Sequence, residues 1–432
     1  MKYFQIDIFK KSFLSFIIKI INTLLIFITG IFLARNLGSE NYGLYSLIMS
    51  IAMLVGIPIT AGLPNFFVRE VSSMIARRSF SDIYIVYLLY IKLLIMYFIL
   101  TVGLVIILVY FNLDFYKKVD SQVIFILPFF PLIMSMLLVQ CASFRGMGYV
   151  ILGQLPFSII SPFVFLVLLI VLYFNNLFNY EKVVLFKIIS LIIPLFVGSC
   201  FLIKKIRNFK NKINFNYRLN YKSLLSLTLI GGFQILLENI DLIIIGIFRD
   251  LGEVGVYRVC VQMGSIVSFG LVSINQILHP EIARLYAQKN LFELQKIINF
   301  SSKIILVLGL FFVCLYIIFG KFILTSIFGS EYSEGYLILV VISIAQLINS
   351  AFGSVGAILN MTGNEIYTLK GMMISLIMNV FLNILLIPSY GMIGAAISLT
   401  FSYLIWNMML RYYVKKIIFI ESCCFFKNGK YI

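Results

Sequence analysis

The stretch "LARNLGSENYGLYSL" (residues 33–47) separates two long apolar runs, and a related stretch, "FRDLGEVGVYRV" (248–259), separates two more. Both combine an arginine, two glycines and a tyrosine in an otherwise apolar part of the chain. The matching residues are Arg35, Gly38, Gly43 and Tyr45 in the first copy and Arg249, Gly252, Gly255 and Tyr257 in the second. The copies are 212 to 214 residues apart, close to half of the 432-residue chain, which predicts an internal repeat.

The amino-acid composition indicates a membrane protein. Hydrophobic residues form 62% of the chain and charged residues 12%, with a mean hydropathy of +1.06, whereas a soluble chain is roughly half apolar and a quarter charged. The apolar runs reach the roughly 20 residues that a helix needs to cross a membrane. They lack the short alternating pattern of a membrane β-barrel. We attribute the net charge of +17 to cytoplasmic loops rather than to nucleic-acid binding.

The apolar runs predict an all-α polytopic protein with about twelve transmembrane helices. The predicted spans are 13–33, 44–63, 83–109, 123–141, 150–174, 183–203, 222–247, 255–278, 300–320, 334–353, 366–387 and 391–413. They predict an N-terminal six-helix half at 1–203, a basic cytoplasmic linker at 204–221, a C-terminal six-helix half at 222–413 and a short cytoplasmic tail at 414–432.

The distribution of lysine and arginine predicts that both termini are cytoplasmic, because most of these 34 residues then fall on the cytoplasmic side. Both copies of the repeat then lie in outer turns. There, glycine accepts positive φ without strain and tyrosine suits the headgroup layer. Because each half has six spans, an axis along the membrane normal can relate the halves. Such repeats predict a central cavity and alternating access.

Four stretches in order resemble one known family. They are "ARNLGSENYGLYSL" in the first outer turn, "NIDLIIIGIFRDLGEVGVYRV" (239–259), "HPEIARLYAQKN" after span eight and "NVFLNILLIPSYGMIGAAISLTFSYLIW" (379–406) in the last two spans. The chain resembles the polysaccharide flippases, the O-antigen flippase group of the multidrug/oligosaccharidyl-lipid/polysaccharide exporter superfamily. The resemblance implies a flippase for polyprenyl-pyrophosphate-linked oligosaccharide in a bacterial inner membrane, within lipopolysaccharide or capsule biosynthesis.

Such a cargo needs cations for its pyrophosphate and polar groups for its sugars. Charged residues at membrane depth are costly and usually face a cavity. The candidate cations are Lys19, Arg69, Lys92, Arg145, Arg258 and Arg284. Anchoring at the headgroups, or snorkelling in the case of Lys19, is the alternative. The candidate polar cavity residues are Gln234, Gln262, Gln276, Gln346 and Asn349, which could instead bond helix to helix.

Span seven carries two acids that could couple transport to an ion gradient. Gln234, Glu238 and Asp241 follow at i, i+4 and i+7, which places them on one helical face. The carboxylates of Glu238 and Asp241 suit the binding of H+ or Na+. Pairing with a neighbouring lysine or arginine to hold helices together is the other interpretation, and the sequence does not separate the two.

Two other functions stay open. A drug/cation antiporter of the same superfamily would share the fold, but the excess of basic over acidic candidates favours an anionic cargo. A polytopic polysaccharide polymerase would need a large outer loop, and an acyltransferase a catalytic histidine. The longest predicted outer loop is 110–122, and His279 is placed at a helix end. We predict no enzyme, no cofactor and no metal. The expected partners are the lipid-linked cargo, membrane lipids, H+ or Na+ and other polysaccharide-assembly membrane proteins.

Overall fold

The computed structural model describes residues 2–76, 80–110, 121–207 and 221–422, and within these ranges the regular structure is helical, with no strand. The helices are α1 (Lys2–Val55), α2 (Ile57–Thr60), α3 (Leu63–Ala76), α4 (Phe80–Tyr110), α5 (Ser121–Ile126), α6 (Phe129–Gly146), α7 (Ser161–Phe174), α8 (Tyr180–Arg207), α9 (Tyr221–Phe248), α10 (Leu251–Gly264), α11 (Phe269–Ala287), α12 (Leu291–Ile323), α13 (Tyr336–Ala351), α14 (Val355–Met361) and α15 (Glu365–Tyr413). Three π-helical segments (Pro156–Ile160, Leu324–Phe328 and Val414–Ile418) and one 3₁₀ segment (Ser330–Gly335) complete the described structure.

The apolar helices bear out an all-helical, multi-pass membrane protein. Among the described residues, nine helices are long and apolar enough to cross a membrane, or ten if the bent pair α10 and α11 counts as one span. The twelve predicted spans overlap these ten segments, because Leu14–Val55 and Glu365–Ile418 each overlap two of them. The predicted second span, 44–63, is not one helix, since α1 ends at Val55 and residues 57–60 form α2. The number twelve and the cytoplasmic termini stay predictions. Part of the 110–122 loop, most of the 204–221 linker and residues 423–432 lie outside the described residues.

Two of the helices change direction at a glycine in the left-handed region. Gly38 (φ 75°, ψ 170°) divides α1, and Gly391 (φ 56°, ψ −136°) divides α15. Glycine accepts these conformations without a steric penalty. The prediction that glycines of the repeat supply positive φ is therefore right for Gly38. It is wrong for Gly43, Gly252 and Gly255, whose backbones do not have positive φ.

The predicted eighth span, 255–278, is not one straight helix. The axes of α10 and α11 differ by 49° across residues 265–268. In this break, Ser265 Oγ donates to the Gln262 carbonyl oxygen at 2.7 Å, and Ser268 Oγ donates to that of Ser265 at 3.0 Å. Serine hydroxyls that bond nearby backbone offer it an alternative to the helical ladder, which favours a bend here.

The described chain forms two compact units whose bounds cut through two helices. Unit 1 comprises Met1–Thr29 and Leu47–Asn239, and unit 2 comprises Gly30–Ser46 and Ile240–Ile432. The first repeat copy, up to Ser46, therefore belongs to unit 2, which also contains the second copy. The predicted division into two six-helix halves counts membrane spans, whereas the two units are defined by contacts between residues. The two-half division therefore stays a prediction.

Unit 1 packs around aromatic and hydroxyl groups of α3, α4 and α6. The Phe67 ring meets the rings of Tyr87 and Tyr90 edge to face, with centroids 5.3 and 5.4 Å away. The hydroxyl of Tyr90 hydrogen-bonds Ser135 Oγ, which also donates to the Ile59 carbonyl oxygen. These partners satisfy buried polar groups where no water is at hand, so they fix how the three helices pack.

In unit 2, the two repeat copies contact each other through their glycines. A Cβ atom at Gly43 would overlap the carbonyl oxygen of Leu251, and one at Gly255 would overlap that of Ser39. Ser39 and Leu251 are 212 residues apart, like Gly43 and Gly255, so each copy presents the same positions to the other. Small residues let helix backbones approach closely in a membrane protein. The contact explains why glycine recurs at 43 and 255.

We expect Gly43→Ala to destabilise the protein, because its methyl group would overlap backbone that cannot move aside. Overpacking of this kind costs about 1–3 kcal/mol. Gly103→Ala in α4 is the matched control, since nothing lies within 4 Å of a Cβ there. Thermal unfolding of the detergent-solubilised variants measures the difference. Equal melting temperatures for the two variants would contradict the glycine contact.

Candidate functional site

A buried carboxylate lies at the junction of α9, α10 and α15 in unit 2. Asp241 is 5% exposed. Its Oδ2 accepts a hydrogen bond from the Tyr257 hydroxyl at 2.9 Å, and its Oδ1 accepts one from Asn383 Nδ2 at 2.6 Å. Asn383 Nδ2 also donates to Asn379 Oδ1 at 3.1 Å. We call Asp241, Tyr257, Asn379 and Asn383 the Asp241 cluster.

The Asp241 cluster has the donor set of a site for a small hard cation. Both hydrogen-bond partners of the carboxylate, Tyr257 and Asn383, are neutral, and no lysine or arginine within the described residues forms an ion pair with Asp241. Carboxylate and amide oxygens are the ligands that hard cations prefer. Asn383 Oδ1 is buried without a protein hydrogen-bond partner, and such an atom needs an explanation such as a bound water or ion.

Gln234 and Glu238 bond to each other and are exposed. Gln234 Nε2 donates to Glu238 Oε1 at 3.1 Å on α9, and both residues belong to unit 1. Asp241 belongs to unit 2 and has the buried partners described above. Although spacing placed the three on one helical face, the structure gives the two acids separate hydrogen-bond partners.

A second group of polar residues surrounds Arg258 on α10. Arg258 lies beside the hydroxyls of Tyr42 and Tyr45, whose rings stack with centroids 6.4 Å apart. One turn further along α10, the Gln262 side chain packs against Gly30 and accepts from the Tyr42 hydroxyl at 3.5 Å. We call these four residues, Tyr42, Tyr45, Arg258 and Gln262, the Arg258 cluster. It combines a cation with neutral donors and acceptors, as an anionic and hydroxylated ligand requires.

The repeat residues Arg35 and Arg249 brace the two kinked helices. Arg35 donates to the Ser326 carbonyl oxygen at 2.8 Å, while the backbone N–H of Ser39, next to Gly38, donates to a Glu331 carboxylate oxygen at 2.9 Å. At the Gly391 kink, Arg249 Nε donates to the Ile387 carbonyl oxygen at 3.3 Å.

The carboxylate of Glu253 holds the other side of the Gly391 kink, where it accepts from Met392 N–H at 3.3 Å. A carboxylate therefore follows each kink, at Ser39 and at Met392, where the next helical stretch begins with free N–H groups. Gly252, the fourth repeat glycine, lies near Ser39 Oγ. The structure thus gives these repeat residues a bracing role.

The candidate cations of unit 1 differ in their surroundings. Lys19 and Lys92 lie inside α1 and α4, and neither forms an ion pair with a described acidic residue. Arg145 ends α6, and its Nε is buried without a protein hydrogen-bond partner in the described structure. Arg69 lies in the middle of α3 rather than at its end, and it pairs with Glu70 at 3.2 Å.

The other candidates of unit 2 are dispersed. Arg284 forms an ion pair with Glu281 on the last turns of α11, and Gln276 is half-buried on the same helix. Gln346 is buried on α13. Asn349 accepts from Asn407 Nδ2 at 3.0 Å, which is the helix-to-helix bond that the sequence left as an alternative.

Sequence reasoning did not select Tyr42 or Lys187 as site residues, and it favoured helix packing for the polar face that carries Asn379 and Asn383. Tyr42 lies inside the first repeat copy, but its counterpart position is not a tyrosine, so the repeat gave no reason to select it. Asn379 and Asn383 carry a signal in their four-residue spacing, which fits helix packing equally well. Lys187 lies near the start of the predicted sixth span, and nothing in the sequence pairs it with another residue. In the structure, its ammonium group lies 4.5 Å from the centre of the Phe165 ring.

A family of proteins described as polysaccharide biosynthesis protein matches residues 8–286, which is more than half of the chain. The chain belongs to this polysaccharide biosynthesis protein family. The match includes the Asp241 cluster residues on α9 and α10 and the whole Arg258 cluster, and it confirms the resemblance that the sequence motifs indicated.

Two curated proteins that are similar in sequence to this chain have names that refer to glycan or polysaccharide biosynthesis. A probable low-salt glycan biosynthesis flippase of Haloferax volcanii is 24% identical over 204 residues, which are 47% of this chain and 42% of the relative. A capsular polysaccharide biosynthesis protein of Staphylococcus aureus is 26% identical over 246 residues, 55% of this chain and 61% of the relative. The chain thus spans about half the length of the curated relatives it matches.

The fold is that of a known transporter family. The solved inward-facing structure of a multidrug resistance MATE family transporter of the MOP superfamily superimposes with a TM-score of 0.74, covering 92% of this chain and 94% of that chain. The sequence identity is 14%, so the likeness concerns the fold alone.

We expect Tyr257→Phe to lower the melting temperature, because it leaves a buried carboxylate oxygen of Asp241 without its donor. A lost partner for a buried polar group costs about 1–3 kcal/mol. Tyr336→Phe is the control, since the Tyr336 hydroxyl makes an exposed bond to the Ile317 carbonyl oxygen. Thermal unfolding in detergent compares the two. If Tyr257→Phe and Tyr336→Phe have the same melting temperature, the hydrogen bond to Asp241 contributes no stability.

Proposed function

We propose that this chain is a flippase that translocates polyprenyl-pyrophosphate-linked oligosaccharide units from the cytoplasmic to the outer face of a bacterial inner membrane. Membership of a polysaccharide biosynthesis family and the transporter fold support a membrane transporter of this kind. The lipid-linked cargo, the direction and alternating access are our proposal. The names of the two relatives are consistent with it.

The observation that carries the proposal is the Arg258 cluster. Arg258 forms no ion pair with a described carboxylate. It lies beside the hydroxyls of Tyr42 and Tyr45, and the Tyr42 hydroxyl donates to the Gln262 amide oxygen. A guanidinium in a membrane-spanning region without an acidic partner favours an anionic ligand. Arginine binds phosphate oxygens through two parallel hydrogen bonds, and the hydroxyl and amide groups match the sugars next to a pyrophosphate.

The unpaired lysines support the same charge preference. Lys19 and Lys92 lie within apolar helices and have no described carboxylate partner, and Arg145 presents a buried, unbonded Nε. A drug/cation antiporter would need anionic or aromatic groups in these places. We therefore prefer the flippase over the antiporter.

We further propose that the Asp241 cluster couples transport to H+ or Na+. The cluster offers one carboxylate and two amide side chains from α9 and α15, all buried. Glu238, which bonds Gln234 at an exposed position, is the weaker candidate. Because nothing in this chain resembles a nucleotide-binding P-loop, an ion gradient or the gradient of the cargo itself is the proposed source of energy.

We expect Arg258→Ala to reduce flipping about tenfold or more, since hydrogen bonds to charged groups contribute about 1.5–3 kcal/mol. The measurement starts from cells lacking the gene, in which lipid-linked oligosaccharide is extracted and assigned to one membrane face with a membrane-impermeant sugar-modifying enzyme. Restoring the wild-type chain should move the intact units outwards. Lys303→Ala, an exposed site on α12, is the matched control.

The location of the trapped material decides between the functions. Lipid-linked oligosaccharide units that accumulate on the cytoplasmic face of cells lacking the gene support the flippase. If the Arg258→Ala variant restores their outward movement as well as the wild type does, the Arg258 cluster has no role in transport. Single units already on the outer face would instead indicate a polymerase. Normal lipid-linked oligosaccharide combined with sensitivity to cationic drugs would indicate the antiporter.

We expect the coupling ion to stabilise the protein against heat. A ligand at about 100 times its dissociation constant stabilises the folded state by about 2.7 kcal/mol. Melting temperatures are measured in Na+ and in K+ at equal ionic strength and at several pH values, for the wild type and for Asp241→Asn. A stabilisation by Na+ or by protons that persists in Asp241→Asn would place the ion elsewhere.

A further inference from the structure

The face of α15 that carries Asn379 and Asn383 continues as a row of buried polar side chains. Thr368, Ser375, Asn379 and Asn383 are 4%, 0%, 0% and 0% exposed. Their spacing of seven, four and four residues keeps them on one helical face. At 1.5 Å per residue, the row is about 22 Å long. We call these four residues the polar column; it runs from the first turn of α15 to the Asp241 carboxylate.

Several polar atoms along this column have no protein partner. Thr368 Oγ1 and Asn383 Oδ1 are buried and make no hydrogen bond within the described residues. Asn379 Nδ2 has no partner at hydrogen-bond distance but lies beside the Asp241 carboxylate, and Ser375 Oγ donates to the Ser402 carbonyl oxygen at 2.8 Å. The indole Nε1 of Trp406 is another buried atom without a hydrogen-bond partner in the described structure. Its ring lies 3.4 Å from the position of a Cβ on Gly371, which places the indole between Thr368 and Ser375 along the helix.

Other hydroxyls further along the same helix are satisfied by its own backbone. Ser398, Thr400 and Ser402 each donate to the carbonyl oxygen four residues earlier, at 2.7–2.9 Å. In native proteins, nearly all buried polar atoms have a partner in protein or ordered water. A buried water typically makes about three such bonds. The unpartnered atoms on both sides of Ser375, whose oxygen can still accept hydrogen bonds, therefore have the chemistry of a chain of bound water.

We propose that the polar column is a hydrated path by which a small monovalent cation, H+ or Na+, reaches Asp241 from the Glu365 end of α15. Hydroxyl and amide oxygens replace part of the hydration of Na+, and a chain of water passes protons. The cation arrives at a carboxylate whose titratable surroundings are Tyr257 and, beyond it, Cys260 and Tyr403. The path rests on the ion coupling proposed above, although its hydration is testable without transport.

The protein contains its own reporter for this path, because Trp406 is its one tryptophan. The chain, labelled with ¹⁵N-tryptophan and placed in lipid nanodiscs, gives a single indole N–H resonance. A hydrated column lets this N–H exchange with solvent without unfolding. We expect exchange within the dead time of dilution into D₂O, and a shift of the resonance when Na+ replaces K+ or when the pH falls.

Substitutions within the column should slow this exchange. Thr368→Val is isosteric and removes an unpartnered hydroxyl, and we expect exchange at least about tenfold slower, because it then requires local opening of the helices. Thr368→Ser keeps the hydroxyl and should exchange like the wild type. Thr400→Val is the matched control, since the Thr400 hydroxyl bonds the Ala396 carbonyl oxygen.

The outcomes separate the path from the function. Slow exchange in the wild type, or equal rates in Thr368→Val and Thr400→Val, would overturn the path even where flipping depends on Asp241. Fast exchange that Thr368→Val slows, together with flipping unaffected by Asp241→Asn, would support the path and refute the proposed coupling. A resonance shift with Na+ but not with pH identifies Na+ as the cation, and the reverse identifies H+. A resonance that responds to neither would refute the path as a cation route.

Discussion

The close approach of two backbones at Gly43 and Gly255 is the contact on which the arrangement of unit 2 depends. Two helices can meet at this distance only where neither carries a side chain. Because Ser39 and Leu251 take equivalent places on the two sides, the contact is symmetrical between the copies. It brings residues 30–46 of α1 into the unit that is otherwise formed by the C-terminal part of the chain.

The Arg258 cluster of unit 2 depends on this contact, and the Asp241 cluster lies close to it along α10. Tyr42 and Tyr45 lie on the same stretch as Gly43, so the glycine contact carries them to Arg258 and Gln262 on α10. On α10 itself, Tyr257 follows Gly255 by two residues and reaches Asp241 on α9. The glycine contact thus places the two tyrosines of the Arg258 cluster and lies two residues from Tyr257 of the Asp241 cluster.

The membrane environment explains how polar groups are distributed. In hydrocarbon, each polar atom must find its partner inside the protein, and many buried hydroxyls bond a carbonyl oxygen one turn earlier. The described atoms that lack a protein partner include three of the polar column, the Trp406 indole and Arg145, and others lie elsewhere in the two units. Departures from local satisfaction are expected at functional sites. Those of the polar column are the atoms to which the proposed chain of water would bond.

By itself, the sequence determined that the chain is a helical membrane protein with an internal repeat. Apolar run length and hydropathy do not depend on tertiary contacts, so these predictions were secure. The repeat also identified Gly43 and Gly255, although it assigned them to turn formation rather than to helix contact. What only the tertiary structure decided is which side chains meet: Asp241 with Asn383, 142 residues away, and Tyr42 with Gln262, 220 residues away. Helical spacing predicts which residues share a face of one helix, whereas a site on several helices depends on how those faces pack.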